Sequence, residues 1–427
     1  MKNRCFLTVH RLMHTNCALL NRGSFGEQKT IQDDQGCLQA RLSKASLLRP
    51  IRLSMGLDGG VRSDKKSDIR SSHLADCVDK IMDAYIEDGR ITKEQKEDYG
   101  KIISEFFDSD WSKRGDNKGE KGRTVTVTNV AELETVVRAI LDFGASEEGQ
   151  KCSGKKFAEA ATKAASEALR NVKLSINEAL FGRMVASPMA GYGTIDGAVY
   201  MSNAYSVNEY IPSEEFITAS FEAPDPFYGD TSDPFRTGLN AFIEEESKKA
   251  RAQTIAGSQM STNTFYNVAQ VNVSELKDNL DCNVLMEKVD DTPLDLLQDA
   301  VTDFVENFAL TMPSGKQHSN LSMPSPTIVY IECSADGIVP RTMESHFSKV
   351  IKDVDDVQEE AIKRMLKGVK ESININKIYE GDITRYVYLS CDYEHLEKDF
   401  ADLGVKVLKD FGELEEILNA EVERMYA

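Results

Sequence analysis

No window of this 427-residue chain approaches the roughly 20 apolar residues that a helical membrane span requires. The N-terminus, MKNRCFLTVHRLMH, starts basic, but His10 and Arg11 break its short apolar run, unlike a secretory signal. A soluble, cytoplasmic protein without membrane contact is therefore expected. The eight cysteines (5, 17, 37, 77, 152, 282, 333 and 391) contain no C-x-x-C pair and have no histidine at metal spacing. They read as reduced packing residues rather than as a disulfide framework. Six scattered histidines (10, 14, 73, 318, 346 and 395) form no H-E-x-x-H motif, and neither a G-x-S-x-G nor a Cys-His signature occurs. Gly315 and Lys316 in PSGKQHSN look like part of a phosphate loop, but the spacing G-x-x-x-x-G-K-[ST] is missing, so nucleotide hydrolysis is not supported. No cofactor, no metal and no catalytic residue is expected.

What the chain has in excess is acid. Its formal net charge is −19, which argues against a surface that coats nucleic acid all over, because phosphate binding needs clustered Lys and Arg. The charge is strongly segregated, however. Residues 1–70 hold 13 Lys+Arg against 6 Asp+Glu, a balance of +7, and the remainder holds 38 against 64, a balance of −26. The most basic stretch is ARLSKASLLRPIR (40–52), where Arg41, Lys44, Arg49 and Arg52 stand without one acid.

The length exceeds one compact core, so the chain should form two or three domains or one domain with large insertions. CFLTVHRLM (5–13), apolar and β-branched without a breaker, reads as a first strand. In the basic stretch Leu47 and Ile51 would share one helix face and Arg49 and Arg52 another, and Pro50 should shorten or kink that helix. Residues 57–178 carry helical patterning, interrupted by a loop at 112–123. DGAVYMSNAYSVN (196–208) reads as a strand, and residues 209–261, with four prolines, as a long irregular excursion. Period-two alternation marks a strand at 264–276. A helix at 292–310, capped by Thr292 with Pro293 at its first position, should bury Leu297, Val301, Phe304, Val305 and Phe308. Strands at TIVYIECS and 384–391 and helices near 353–372 and 412–425 complete the pattern. The fold class is α+β, a sheet with helices on one side, such as a ferredoxin-like fold.

Three stretches could carry chemistry. LLNRGSFGEQKT (19–30) runs towards the basic stretch, and Arg, Lys, Ser43 and Ser46 there are suited to phosphate, although a solvated surface helix would look the same. In ALFGRMVASPMAGYGTIDGA (179–198), Met184 follows Arg183; it is either a core residue or an apolar wedge between bases, with the arginine on a phosphate. PSGKQHSN (313–320), which holds Lys316, is the third. Asp33 and Asp34 lie in the first loop beside the basic track and read either as a turn or as a catalytic pair.

In order along residues 5–335, the motifs FLTVHRLMHTNCALLNRGSFGEQKT, RLSKASLLRPIR, ALFGRMVASPMAGYGTIDGAVYMSNA, NTFYNVAQVNVSELKDNL and MPSGKQHSN resemble those of the CasC backbone subunit of type I-E CRISPR Cascade, a RAMP-superfamily protein. The resemblance implies a modified RNA-recognition-motif palm with helical fingers and a thumb, in the shape of a right hand. The parts would be palm at 1–56, 178–204 and 262–427, the last with C-terminal helices, fingers at 57–177 and thumb at 205–261. It further implies copies polymerising along one CRISPR RNA, a guide held for pairing with target DNA, and contacts to the large, small and guide-end subunits of Cascade. By position, Arg22, Lys29, Arg41, Ser43, Arg49 and Arg52 would contact guide phosphates, joined by Lys44, Arg183 and Lys316. Met184 would pack against bases, and Thr218 would lie at the thumb tip. Leu48 stands where the family has a lysine, Pro50 falls inside the basic helix, and the thumb is long and acidic. The related type III backbone subunits cut target RNA with an aspartate in the first loop, so Asp33 and Asp34 keep an endoribonuclease open as an alternative.

Overall fold

A computed structural model of the protein describes residues 4–55, 57–58, 61–62, 68–115, 125–219, 233–249, 253–316, 320–335, 337–377 and 383–426. Four strands make the centre of the main sheet: β1 (Phe6–Ala18), β2 (Val199–Met201, resuming as Ala204–Ser206), β3 (Gln253–Asn272) and β4 (Pro326–Ser334). β1 lies between β3 and β4 and runs antiparallel to both, with His10 opposite Val268 on one side and Tyr330 on the other. β2 lies antiparallel on the far side of β3. The spatial order β4-β1-β3-β2 is that of a split βαβ, ferredoxin-like sheet. Beyond β4 come β5 (Ile383–Leu389), antiparallel, and then Lys406–Leu408, the sheet's parallel edge. Beyond β2 come Leu38–Leu42 and Thr30–Gln32.

Helices cover both faces of this sheet, where the sequence pattern suggested one. Leu7 and Val9 of β1, with Val329 and Ile331 of β4, point into a core shared with helices Leu294–Leu310 and Glu413–Tyr426. Leu12, Tyr266 and Tyr330 point the opposite way, against helix Val357–Asn376. A strand buried on both faces need not alternate apolar and polar residues, and β1 accordingly buries Phe6, Leu7, Val9, Leu12 and Met13 together with the polar Thr8, His10 and Arg11. In helix Leu294–Leu310 the five expected residues are all buried. The expected cap is displaced: Pro293 occupies the cap position, and Thr292 is buried with its hydroxyl donating to Asp281 Oδ1 at 2.7 Å.

Two further differences concern the insertions. The segment 209–261 is not irregular throughout. Ser213–Ala219 pairs antiparallel with the first half of β3, from Ser213 opposite Met260 to Ala219 opposite Gln253, and helix Pro234–Lys249 lies between the two strands. β3 therefore runs unbroken across the boundary expected at 261. Residues 57–178 are mostly helical as read, but Asp68–Ser71 and Thr126–Asn129 pair as a two-stranded sheet. Of the loop at 112–123, residues 116–123 lie outside the described residues. Among the described residues no helix is long and apolar enough to cross a membrane.

Candidate nucleic-acid interface

Four cations of the first 52 residues, Arg22, Lys29, Arg41 and Lys44, lie on segments tied together by three neutral amides. After β1 the chain folds into a loop in which Arg22 bridges to Gln28, and Lys29 N–H donates to Asn21 O at 2.9 Å. Gln28 is buried; its side-chain nitrogen donates to the carbonyls of Arg41 at 2.9 Å and Lys29 at 3.1 Å. Asn21 Oδ1 accepts from Ser43 N–H, and Asn203 Oδ1 accepts from Lys44 N–H, both at 2.9 Å, and from Arg41 Nη2 at 3.3 Å. These contacts bring the segments that carry Arg22, Lys29, Arg41, Ser43 and Lys44 together beyond β2. Gly315 joins them: a Cβ there would stand 2.7 Å from the Leu19 carbonyl oxygen and 2.6 Å from that of Leu20, so only glycine allows this approach. Lys316, the next residue, is thereby carried to the same loop, while His318 of that motif lies outside the described residues. Asn21, Gln28 and Asn203 were not singled out from the sequence, where an uncharged amide between charged neighbours carries no signal.

The basic stretch is helical from Lys44 to Ser54, with Ser43 at its cap and no acid in its first turn. Pro50 sits inside the helix without ending it. Leu47, Leu48 and Ile51 are buried and Arg49 is exposed, so Leu48 is a core residue. Arg52 is half-buried against the Phe181 ring. Burial first, then the charges of Arg70 and Arg49, lower its pKa to about 10. Arg70, unnoticed in the sequence because it belongs to the short strand Asp68–Ser71, therefore stands beside this pair as a third cation.

Arg183 is the clear correction. Its side chain is fully buried between Glu132, at 2.8 Å, and Glu178, at 3.0 Å. It also donates to Val284 O at 2.8 Å and stacks on the Tyr192 ring at 3.8 Å, so no phosphate reaches it. Its neighbour Met184 points out and is 77% exposed, which excludes the core reading of that methionine. Burial, followed by the charge of Glu132, pushes the Glu178 carboxyl up to about 7 in spite of Arg183. An acid with a raised folded pKa binds its proton more tightly folded than unfolded, so its contribution to stability declines as pH rises from about 4.5 to about 7. Urea titrations across that range should show this decline, and Glu178→Gln should flatten it.

Asp33 and Asp34 are held differently. Asp33 Oδ1 accepts from the N–H groups of Gln35 and Cys37, both at 2.8 Å, and Oδ2 from Val350 N–H at 3.0 Å. These bonds, Val350's foremost, hold its pKa below the ordinary value and pin the turn to the 348–350 segment. Asp34 is exposed, with its N–H on Ser348 O. Among the described residues no cluster of His, Cys, Asp or Glu has metal-binding geometry. Thr218 lies near the end of its strand, opposite Thr254 and beside residues 220–232, which are outside the described residues.

The sheet order defines a ferredoxin-like sheet carrying large insertions, and the comparisons with known proteins agree on a mixed α+β fold. The sequence matches the family described as CT1975-like protein over residues 7–223 and 243–415, and the chain belongs to that family. Among solved structures, a chain of the one described as "CRISPR RNA-guided surveillance complex, pre-nicking" matches with a TM-score of 0.67 and 19% identity, over 98% of this chain and 100% of that one. A chain of a second, "CRISPR RNA-guided surveillance complex", matches with a TM-score of 0.61 and 16% identity, over 97% and 99%. At such identities the likeness is one of fold. None of the curated proteins matches.

Proposed function

We propose that this protein is a non-catalytic backbone subunit of a type I CRISPR surveillance complex, binding the guide RNA along its sugar-phosphate chain. The observation that carries this reading is a set of cations left without carboxylates. Among the described residues Arg22, Lys29, Arg41, Lys44, Arg49 and Lys316 have no ion-pair partner, on a chain with 70 acidic residues to offer. Surface charges are held apart from acids at some electrostatic cost, and a track of them is what a polyanion needs.

In this reading Arg22, Lys29, Arg41, Ser43, Lys44, Arg49, Arg52 and Lys316 hold successive phosphates. Exposed Met184 packs against a base. The hairpin that contains Thr218, with helix Pro234–Lys249, serves as the thumb towards a neighbouring copy. The acidity elsewhere repels stray nucleic acid, so sequence specificity rests with guide pairing to target DNA rather than with protein contacts to bases. The other Cascade subunits are the remaining partners, and no cofactor takes part. Cutting of target RNA by Asp33 and Asp34 is the less favoured reading, because the Asp33 carboxylate already accepts from three backbone N–H groups. Complementary RNA with Mg²⁺ should stay intact in the presence of the purified complex; regularly spaced cuts, lost in Asp33→Ala/Asp34→Ala, would reverse that choice.

A further inference from the structure

Phe25 is 95% exposed, more than any other large hydrophobic side chain among the described residues. Single exposed apolar residues are ordinary on protein surfaces and need no explanation of their own. This one differs in how it is held. The loop that carries it is closed by Arg22 bridging to Gln28 and by the Gly23 N–H donating to Glu27 O at 2.7 Å. Glu27 is the sole acid between Leu19 and Gln32; the residue is exposed, but its carboxylate folds back over the loop's own backbone. Its Oε2 accepts from Phe25 N–H at 3.1 Å, and its Oε1 lies so close over Gly23 that a Cβ there would stand 2.1 Å away. Gly26 adopts φ +92°, which completes the turn in a conformation that other residues avoid.

The result is a small rigid loop that neutralises no cation of the track and lifts one aromatic ring into solvent. At its base stand Arg22 and Lys29, neither with an ion-pair partner among the described residues. An ordered aromatic flanked by free cations is the combination that binds single-stranded nucleic acid, with the cations on phosphates and the ring under a base.

We infer that Phe25 is a base-stacking residue of the RNA track. The inference rests on the proposed function and adds a contact of a different kind. Every base has a π-face, so the contact tolerates any sequence, as a subunit serving many guides requires. Stacking is uncharged, so it adds affinity without adding to the salt dependence that phosphate contacts create.

The test is a fluorescence titration of the full chain, stripped of nucleic acid, with a short unstructured RNA carrying a 2-aminopurine, repeated over a salt series. Wild type should bind and quench the probe. Phe25→Leu, which keeps an apolar side chain but no ring, should bind about tenfold more weakly. Its dependence of log K on log salt should be unchanged, and it should lose the quench. Phe25→Trp should restore both, and Arg22→Ala should lower the salt slope by about 0.7, the single-strand value for one phosphate. Equal affinity and equal quench for wild type and Phe25→Leu would overturn the stacking role while leaving RNA binding intact. A changed salt slope in Phe25→Leu would also overturn it, by showing that the ring acts through Arg22 or Lys29. If wild type itself binds no RNA, the proposed function falls and this inference falls with it.

Discussion

Arg183→Met should destabilise the folded protein by about 3–5 kcal/mol, because it leaves two buried carboxylates facing each other without their cation. Glu132 and Glu178 are both fully buried, and Arg183 is bonded to each. The cluster also ties distant parts of the chain together. Glu132 belongs to helix Val130–Ala145 of the long insertion, Glu178 to helix Ile176–Phe181, and the Val284 carbonyl to the segment after β3. The loss should be smaller at pH 5 than at pH 8, since a carboxyl already pushed up to about 7 accepts a proton at the lower pH and removes the repulsion. Urea unfolding at the two pH values reads both effects. Restoring neutrality with Glu132→Gln and Glu178→Gln in the Arg183→Met background should recover a large part of the stability. A loss below about 1 kcal/mol, the range of exposed pairs, would show that the cluster is not a desolvated one.

Charge reversal on the track is expected to have the largest functional effect. Lys44→Glu with Arg49→Glu places two anions where the account has two phosphates, and both residues are exposed and unpaired among the described residues, so the fold should be untouched. Each lost phosphate contact removes about 0.7 from the salt slope, and each new carboxylate adds repulsion, so RNA affinity should fall by about a hundredfold or more at moderate salt. Arg52→Glu belongs in a separate variant, because Arg52 is half-buried against Phe181 and its loss combines binding with packing. Thermal unfolding of Lys44→Glu/Arg49→Glu beside wild type separates the two causes. Unchanged affinity in a well-folded double variant would remove the helix Lys44–Ser54 from the interface.

The sequence made the central sheet legible where a strand or helix has a simple pattern. The five buried residues of helix Leu294–Leu310 share one face at helical spacing, and β4 and β5 are dense in β-branched and aromatic residues. The strand Leu38–Leu42 escaped notice because it is short and its partners are short, Thr30–Gln32 on one side and the second part of a broken β2 on the other. The first half of β3, QTIAGSQMST, is made of small and polar residues, so a strand that leaves the core to pair with Ser213–Ala219 gives almost no hydrophobic signal.

The cation face shows the same limit at the level of side chains. Arg41, Lys44 and Arg49 were singled out because they stand in one acid-free run, whereas Arg183 was placed with them through its motif and its neighbour Met184. Nothing local distinguishes an arginine that meets solvent from one whose carboxylates arrive from 51 and 5 residues away. Leu48 lies in the same acid-free run, yet the helix face it occupies is turned into the core. Asp33 looked available because its partners are backbone N–H groups, which no sequence pattern displays.

The central claim is that the unpaired cations hold an RNA, and the nucleic acid content of the native assembly tests it most directly. The complex should be isolated through this chain, its mass measured, and its nucleic acid extracted, digested separately with RNase and DNase, and sequenced. The account predicts several copies of the chain bound to one discrete short RNA that resists DNase, and loss of that RNA from the Lys44→Glu/Arg49→Glu variant. An assembly of the same chain that contains no RNA would contradict it.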